Sequence, residues 1–310
     1  MSGDAVLVTG SDGFVGSHLC AALVAGGRRV VAASRRPGGV PLPLLSNATA
    51  WQSALKSIDC VIHLAAHVHV MRTTQESAAL FQEVNVRGSQ FVAEQAAKAG
   101  VRRFVYLSTV KVNGEGGNLA YRAEDTPQPS DAYARSKMQA EQVLRAAASS
   151  SGMELAIIRP PLVYGPGVRA NFRRLLQLVA LGLPLPLRSV DNRRSLVSVW
   201  NLVNFIELCA THPRAGGGTW LVSDGEDLST PQLLQAIARS MRKRARLFGF
   251  PPALLKRLAA MIGMGAEMSR LCDSLLIDAT PAAKLLGWKP IIDVQQGLER
   301  TVAAFLEASR

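Results

Sequence analysis

The sequence predicts an α/β protein, a doubly wound parallel sheet with helices on both faces and a smaller mixed C-terminal lobe. Three observations carry this. Short β-branched runs alternate with helix-length stretches through the first half. A glycine triplet directly follows the first of those runs. Beyond about residue 165 the alternation gives way to irregular helices and short strands. Regular alternation implies parallel strands joined by crossover helices, each strand buried on both faces.

The elements follow in order. Residues 5–8, 29–33, 60–66, 103–109 and 155–161 read as buried strands. Helices are expected over 14–25, 73–98 and 131–149, with Gly26-Gly27 and Gly100 as stops. Residues 37–47, rich in Pro and Gly, show no clear third strand. In the second half, helices fit 171–182, 200–211, 230–242 and 294–308, and strands fit 195–199 and 219–223. The division expected is 1–165 for the sheet domain and 166–310 for the lobe, with the chain crossing between them.

Composition narrows the function. At 310 residues and 48% hydrophobic, the chain can bury a large core. No apolar run is long enough to span a bilayer; the longest, 175–187, is broken by Gly182, Pro184 and Pro186. The N-terminus lacks a signal-peptide pattern, so a cytoplasmic protein is expected. Cys20, Cys60, Cys209 and Cys272 lie far apart in apolar contexts and read as reduced core residues. The histidines have no metal-ligand spacing, so no metal is expected.

The net charge is +12, from 35 basic and 23 acidic residues. Between Glu154 and Glu207 there is one acid, Asp191, against seven arginines, a stretch suited to phosphate. No aromatic-basic interleaving supports a specific nucleic-acid partner. Residues 247–266 are apolar, with Lys256 and Arg257 among them. They read as lobe packing, with peripheral membrane contact as the alternative.

Residues 6–19 read VLVTGSDGFVGSHL. Gly10, Gly13 and Gly16 let the chain turn tightly and bring its backbone against a pyrophosphate, while the helix N-terminus offers free amides. This is a Rossmann-type dinucleotide loop, with Asp12, Phe14 and Val15 beside the glycines. The second strand ends in Ala33-Ser34-Arg35-Arg36, where an NAD site usually carries an acid. Ser34 and Arg35 suit a 2′-phosphate instead, which favours NADP(H) over NAD(H).

Residues 131–141 read DAYARSKMQAE, with Tyr133 and Lys137 on one helix face. A nearby ammonium is expected to lower the phenol's pKa and make it a proton shuttle. Thr109, closing the run YLSTVKVNG at 106–114, can bond the same substrate oxygen. Together the three suit proton transfer at a carbon–oxygen bond while a hydride moves to or from a nicotinamide.

TGSDGFVG at 9–16, DCVIHLAA at 59–66, VNVRGS at 84–89, YLSTVKVNG, YARSK at 133–137, RPPLVYGPG at 159–167 and NRRSLVSV at 192–199 resemble the extended short-chain dehydrogenases/reductases. That family comprises nucleotide-sugar epimerases, dehydratases and reductases. The resemblance covers almost the whole chain. It implies Thr109, Tyr133 and Lys137 as catalytic residues and a UDP-sugar as substrate. It places Leu64, Ala65 and Ala66, Asn85, Pro160 and Val163 around the dinucleotide, with His63 structural. Asn171, Arg194 and Arg270 are implied at the sugar nucleotide. Lys111 either contacts substrate or caps its loop. A homodimer is also implied.

Family dehydratases follow their threonine with Asp-Glu; here Val110 and Lys111 stand there, which argues against dehydration. Reduction of a 4-ketone and epimerisation at C4 remain. Within the family the chain resembles both UDP-N-acetylquinovosamine-type 4-ketoreductases and UDP-glucose 4-epimerase-like proteins. Arg35 and Arg36 tilt the reading towards the reductase. A non-catalytic dinucleotide sensor is the alternative of another class. Two departures stand out: the 37–47 segment lacks an acidic adenine contact, and Trp200-Asn201 occupies a position where the family often has an aspartate.

Overall fold

Two apolar surfaces on one set of strands organise the molecule. The computed structural model describes residues 5–34, 40–41, 48–68, 75–117 and 119–308. β1 (Ala5–Thr9) turns into α1 (Phe14–Ala25). Then come β2 (Arg29–Ser34), β3 (Val40–Pro41), α2 (Ala48–Ala54) and β4 (Cys60–His63). α3 (Gln75–Leu80) runs through a π-helical stretch, Phe81–Arg87, into α4 (Gly88–Lys98). β5 (Arg103–Leu107), α5 (Ala132–Ser151), β6 (Glu154–Arg159) and β7 (Leu162–Tyr164) follow. The second half holds α6 (Ala170–Ala180), β8 (Leu196–Ser198), α7 (Val199–Thr211), β9 (Thr219–Leu221) and α8 (Thr230–Ser240). It closes with α9 (Pro252–Met261), α10 (Gly265–Cys272), α11 (Thr280–Leu286) and α12 (Val294–Glu307).

Seven strands form one sheet in the order β3-β2-β1-β4-β5-β6-β9, and every pairing is parallel. Side chains alternate between its faces. Leu7, Val61, Phe104, Tyr106 and Ile157 pack with Val92, Ala96, Ala140 and Leu144 of α4 and α5. Val6, Val8, Ile62, Val105 and Ile158 pack with Leu19, Leu23, Leu202 and Phe205 of α1 and α7. Each fully buried Leu or Phe contributes about 1.5–3 kcal/mol. β9 returns from the second half to the edge of this sheet, and β7–β8 form a separate parallel pair. A third cluster, among α6, α8 and α12, is the core of the lobe.

Three strands are shorter than the sequence suggests at their carboxyl ends. β4 stops at His63, β5 at Leu107 and β6 at Arg159. The residues beyond leave the ladder, and that is where the candidate site residues lie. Within the unassigned 37–47 stretch, Val40–Pro41 pairs with β2; residues 37–39 and 42–47 lie outside the described residues. The four cysteines are free.

Asn201 is a buried hub. Its Nδ2 donates to Asp224 Oδ1 (2.7 Å) and the Ile292 carbonyl (2.8 Å), and its Oδ1 accepts from the Ile291 and Ile292 amides. An amide can donate and accept at once, which an ionised aspartate cannot. Asp224 also accepts from Tyr164 Oη (2.7 Å), tying β7 to the end of β9.

Candidate active site

The strand order turns back on itself at β1 and β4, and such a switch point opens a crevice at the carboxyl ends. Gly10 leaves β1 with φ +69°, and a Cβ there would lie 2.8 Å from the Ala65 amide nitrogen. A Cβ on Gly16 would collide with the Gly10 carbonyl. Gly13 then opens α1 with no side-chain cap, so its first amides remain for an anion. This is a cradle of the kind a dinucleotide pyrophosphate requires. Phe14 and Val15 are half-buried against the core, and Asp12 is exposed. Ser34 ends β2; Arg35 lies outside the described residues.

His63 holds this end of the sheet together. Its Nδ1 pairs with Thr9 Oγ1 (2.8 Å) and its Nε2 with Ser89 Oγ (3.0 Å). Burial first, and then Lys137, lowers its pKa to about 3, so the ring stays neutral. Thr9 Oγ1 accepts from the Ala65 amide and fixes the chain through Leu64, Ala65 and Ala66.

Asn85 sits in the π-helical stretch, a local irregularity often found at functional sites. Its Oδ1 accepts from the His67 amide (2.7 Å), and its Nδ2 donates to the His67 carbonyl and to Ser136 Oγ (2.9 Å). It thereby links the end of β4 to α5. His67 Nε2 is buried with no hydrogen-bond partner among the described residues, and its ring meets Phe81 at 5.1 Å. Phe81 in turn lies 6.1 Å from the Tyr133 ring.

Thr109 stands extended just past β5, its Oγ1 accepting from the Lys111 amide. Asp131 caps α5 by accepting from the Ala134 amide (2.7 Å), which places Tyr133 in the first turn. Lys137, one turn on, is 2% exposed. Its Nζ donates to the Leu107 carbonyl (2.7 Å) and to Tyr106 Oη (3.1 Å), two residues before Thr109 and three. Tyr106 therefore positions the ammonium, a role that the first residue of YLSTVKVNG did not suggest.

The electrostatics correct one expectation. The phenol of Tyr133 is not lowered; burial, then the Asp131 charge, holds it above its ordinary value. Burial also lowers Lys137 to about 7, against a partial upward push from Glu141. Burial leads for both groups, and neither shift is driven by the partner that sequence spacing suggests. In the unfolded chain this lysine keeps its proton up to the ordinary 10.5. Between the two values the unfolded state binds more protons, so stability rises with pH from about 7 to about 10.5. Urea midpoints of wild type and Lys137→Met, measured without added dinucleotide, check this. The difference between them should drift in the wild type's favour across that window; a constant difference would mean that the ammonium stays charged.

Facing the threonine loop is a knot of charges. Lys111 Nζ bonds Asp131 Oδ2 (2.8 Å) and pairs with Glu115. Arg270, from α10, lies 3.6 Å from Glu115 and 3.9 Å from Asp131. Arg194 is largely buried, and its Nη1 donates to the Asp273 carbonyl (2.8 Å); burial lowers its pKa. Asp131 is net lowered: burial would raise it, but Lys111 and the Ala134 amide prevail. Lys111 thus braces its own loop. Asn171 is exposed in the first turn of α6. Pro160 accepts from the Val110 amide (3.0 Å), and Val163 packs on the core from β7.

The arginine-rich stretch is less uniform than its sequence suggests. Arg159 is buried in a bidentate pair with Glu141, at 2.6 and 2.9 Å, and Arg193 pairs with Asp227. Arg159 does not fit the phosphate-binding role its charge implied, while Arg193 stays exposed at the surface.

A dinucleotide cradle on the same sheet end as a half-buried phenol and a buried lysine fits the extended short-chain dehydrogenases/reductases. The sequence model of the NAD dependent epimerase/dehydratase family matches residues 6–223, and the chain belongs to that family. It is similar to a UDP-glucose 4-epimerase of Vibrio cholerae, 39% identical over 98% of this chain and 96% of that one. It is 28% identical to an N-acetyl-α-D-glucosaminyl-diphospho-ditrans,octacis-undecaprenol 4-epimerase of Escherichia coli O157:H7, over 96% of this chain and 94% of that one. Among solved structures it is similar to MoeE5 in complex with UDP-glucose and NAD, 27% identical, with TM-score 0.78 over 99% of this chain and 100% of that one.

Proposed function

We propose that this enzyme inverts the C4 hydroxyl of a UDP-hexose or UDP-N-acetylhexosamine. The observation that carries the reading is the grouping of Thr109, Tyr133 and Lys137 at the carboxyl end of β5, ahead of a loop whose side chains are valine and a carboxylate-bound lysine. The full-length similarity to the Vibrio cholerae 4-epimerase supports it.

The α1 amino end would hold the dinucleotide pyrophosphate, with Asn85 and the Leu64–Ala66 segment as the residues to border it. A nicotinamide held there would supply the hydride acceptor and donor for C4. Thr109 orients the C4 oxygen by hydrogen bond. Tyr133, as its phenolate, takes the proton of the C4 hydroxyl and returns it once the keto intermediate has presented its other face. Lys137, held by Tyr106 and the Leu107 carbonyl one helical turn from the phenol, supplies charge there while it is protonated, below about pH 7 in the ligand-free enzyme.

Incubation with UDP-glucose or UDP-GlcNAc should give the C4 epimer, with nicotinamide retained through gentle purification. No 4-keto-6-deoxy sugar should form, because the carboxylates near the loop, Glu115 and Asp131, are engaged by Lys111 and Arg270. Elimination across C5–C6 needs a free base and a free acid. A 4-keto-6-deoxy product would overturn the reading.

A second reading rests on β2, which ends in Ser34 and is followed by two arginines without an acid. That pattern favours NADP(H) and reduction of a UDP-4-keto-6-deoxy-N-acetylhexosamine, an activity that would serve surface polysaccharide biosynthesis. The family's name and the MoeE5 complex favour NAD instead. Arg35→Ala separates the two. On the reductase reading it weakens NADPH binding more than NADH binding, since a guanidinium distinguishes them by the 2′-phosphate. Equal effects in a dinucleotide titration return the enzyme to NAD and epimerisation.

A further inference from the structure

α9 is apolar on two faces, and the fold covers one. Leu255 and Ala259 turn inward and join the lobe core. Leu254, Leu258 and Met261 recur at i, i+4 and i+7 on another face, 45%, 46% and 81% exposed. Ile262 and Met264 extend the surface into the turn before α10. A helix bordered by water on its outer side should be polar there. Exposed apolar surface of this kind marks a contact.

The charge around it identifies the contact. From residue 228 to residue 266 there is no acid, and there are seven basic residues. Arg242, Lys243, Arg244, Arg246 and Arg257 are exposed. Lys256 instead anchors α9 inward, bonding Asp273 Oδ1 (2.9 Å). Leu, Met and Ile on one side of α9 and its turn, with Arg257 on the same helix and four exposed cations shortly before it in the chain, match an interfacial segment. Each cation near an anionic surface adds to the attraction. Among the described residues no helix is long and apolar enough to cross a membrane, so the contact is peripheral.

We propose that α9 and the turn after it, residues 254–264, dock this enzyme on an anionic bilayer, with the apolar side chains entering the headgroup boundary and Arg257 and the exposed cations of 242–246 meeting lipid phosphates. The placement matters for the active site. α10 follows directly and sends Arg270 to the carboxylates beside the threonine loop, while Asp273, which Lys256 holds, accepts from Arg194. The docked face is thus one helix pair away from the candidate substrate wall.

The test is vesicle flotation of the dinucleotide-loaded enzyme, which reads binding without reading catalysis. The protein should float with phosphatidylglycerol–phosphatidylethanolamine vesicles at low salt, less at high salt, and not with phosphatidylcholine alone. Met261→Asp/Ile262→Asp should lower partitioning by about tenfold or more. Both side chains are exposed, so fold and turnover of a soluble UDP-sugar should be unchanged. Arg242→Glu/Arg244→Glu should cost binding at low salt and little at high salt. A wild type that stays at the bottom of the gradient overturns the proposal. So does an aspartate variant that floats as well as wild type. A dimer seen by sedimentation velocity, lost in the aspartate variant and without flotation, would assign the face to a second copy and equally overturn it.

Discussion

Tyr133→Phe should lower turnover by roughly 10²–10⁴, the usual worth of a general acid–base group, with dinucleotide affinity little changed. Phenylalanine keeps the ring, and with it the packing near Phe81. On the proposed chemistry it removes the hydroxyl that exchanges a proton with the C4 oxygen. The neighbours offer no substitute. Lys137 is committed to Tyr106 and the Leu107 carbonyl, and Asp131 to Lys111 and the Ala134 amide. His63 is neutral and bonded at both ring nitrogens. Burial and Asp131 keep the phenol protonated in the ligand-free enzyme, so wild-type turnover should also rise with pH as the phenolate becomes accessible. The variant should lose that dependence along with its activity. Steady-state rates over a pH series, beside a dinucleotide titration, check both. Near-normal turnover would remove Tyr133 from the proposed chemistry.

Physical reasons separate what the sequence discloses from what it hides. The phosphate loop was legible because its demands are local: glycines at a turn, a strand before and a helix after. α1 spans the same residues, 14–25, that the pattern suggests. The five principal strands were legible because burial on both faces makes each a continuous apolar run. Their ends were not, since whether residue 64 or 108 still pairs depends on a neighbouring strand. The π-helical stretch around Asn85 left no trace in periodicity. The apolar character of 247–266 was legible, but not which face of α9 the fold leaves uncovered, because exposure is a tertiary fact. The seven arginines were read by their count, yet Arg159 answers to Glu141, eighteen residues earlier in sequence and adjacent only in the fold. Tyr106 and His67 were missed for the same reason. Nothing in their sequence context shows that one bonds a lysine thirty-one residues on and the other frames Asn85.

Glu141→Leu should destabilise the protein by about 3–5 kcal/mol, the cost of leaving one member of a buried ion pair alone. Both side chains of the Glu141–Arg159 pair are 4% exposed. The glutamate accepts from Arg159 Nε and Nη2 and from Ser108 Oγ (2.6 Å). Without it, the guanidinium keeps the Asn113 Oδ1 (3.0 Å) and Ala123 carbonyl contacts, neither of them charged. Ser108, the residue before Thr109, loses its acceptor at the same time. The catalytic threonine loop should therefore loosen as the fold weakens. Arg159→Met/Glu141→Leu separates charge from packing, since removing both partners leaves no orphan ion. The double variant should recover much of the loss, because a buried pair replaced by apolar groups of similar volume is often neutral or better. Its activity should stay below wild type, because Ser108 still lacks its partner under Thr109. Urea midpoints of the two single variants and the double variant decide this. Additive losses, with the double variant less stable than either single one, would mean that the two side chains are not coupled, and would overturn the orphan-charge account.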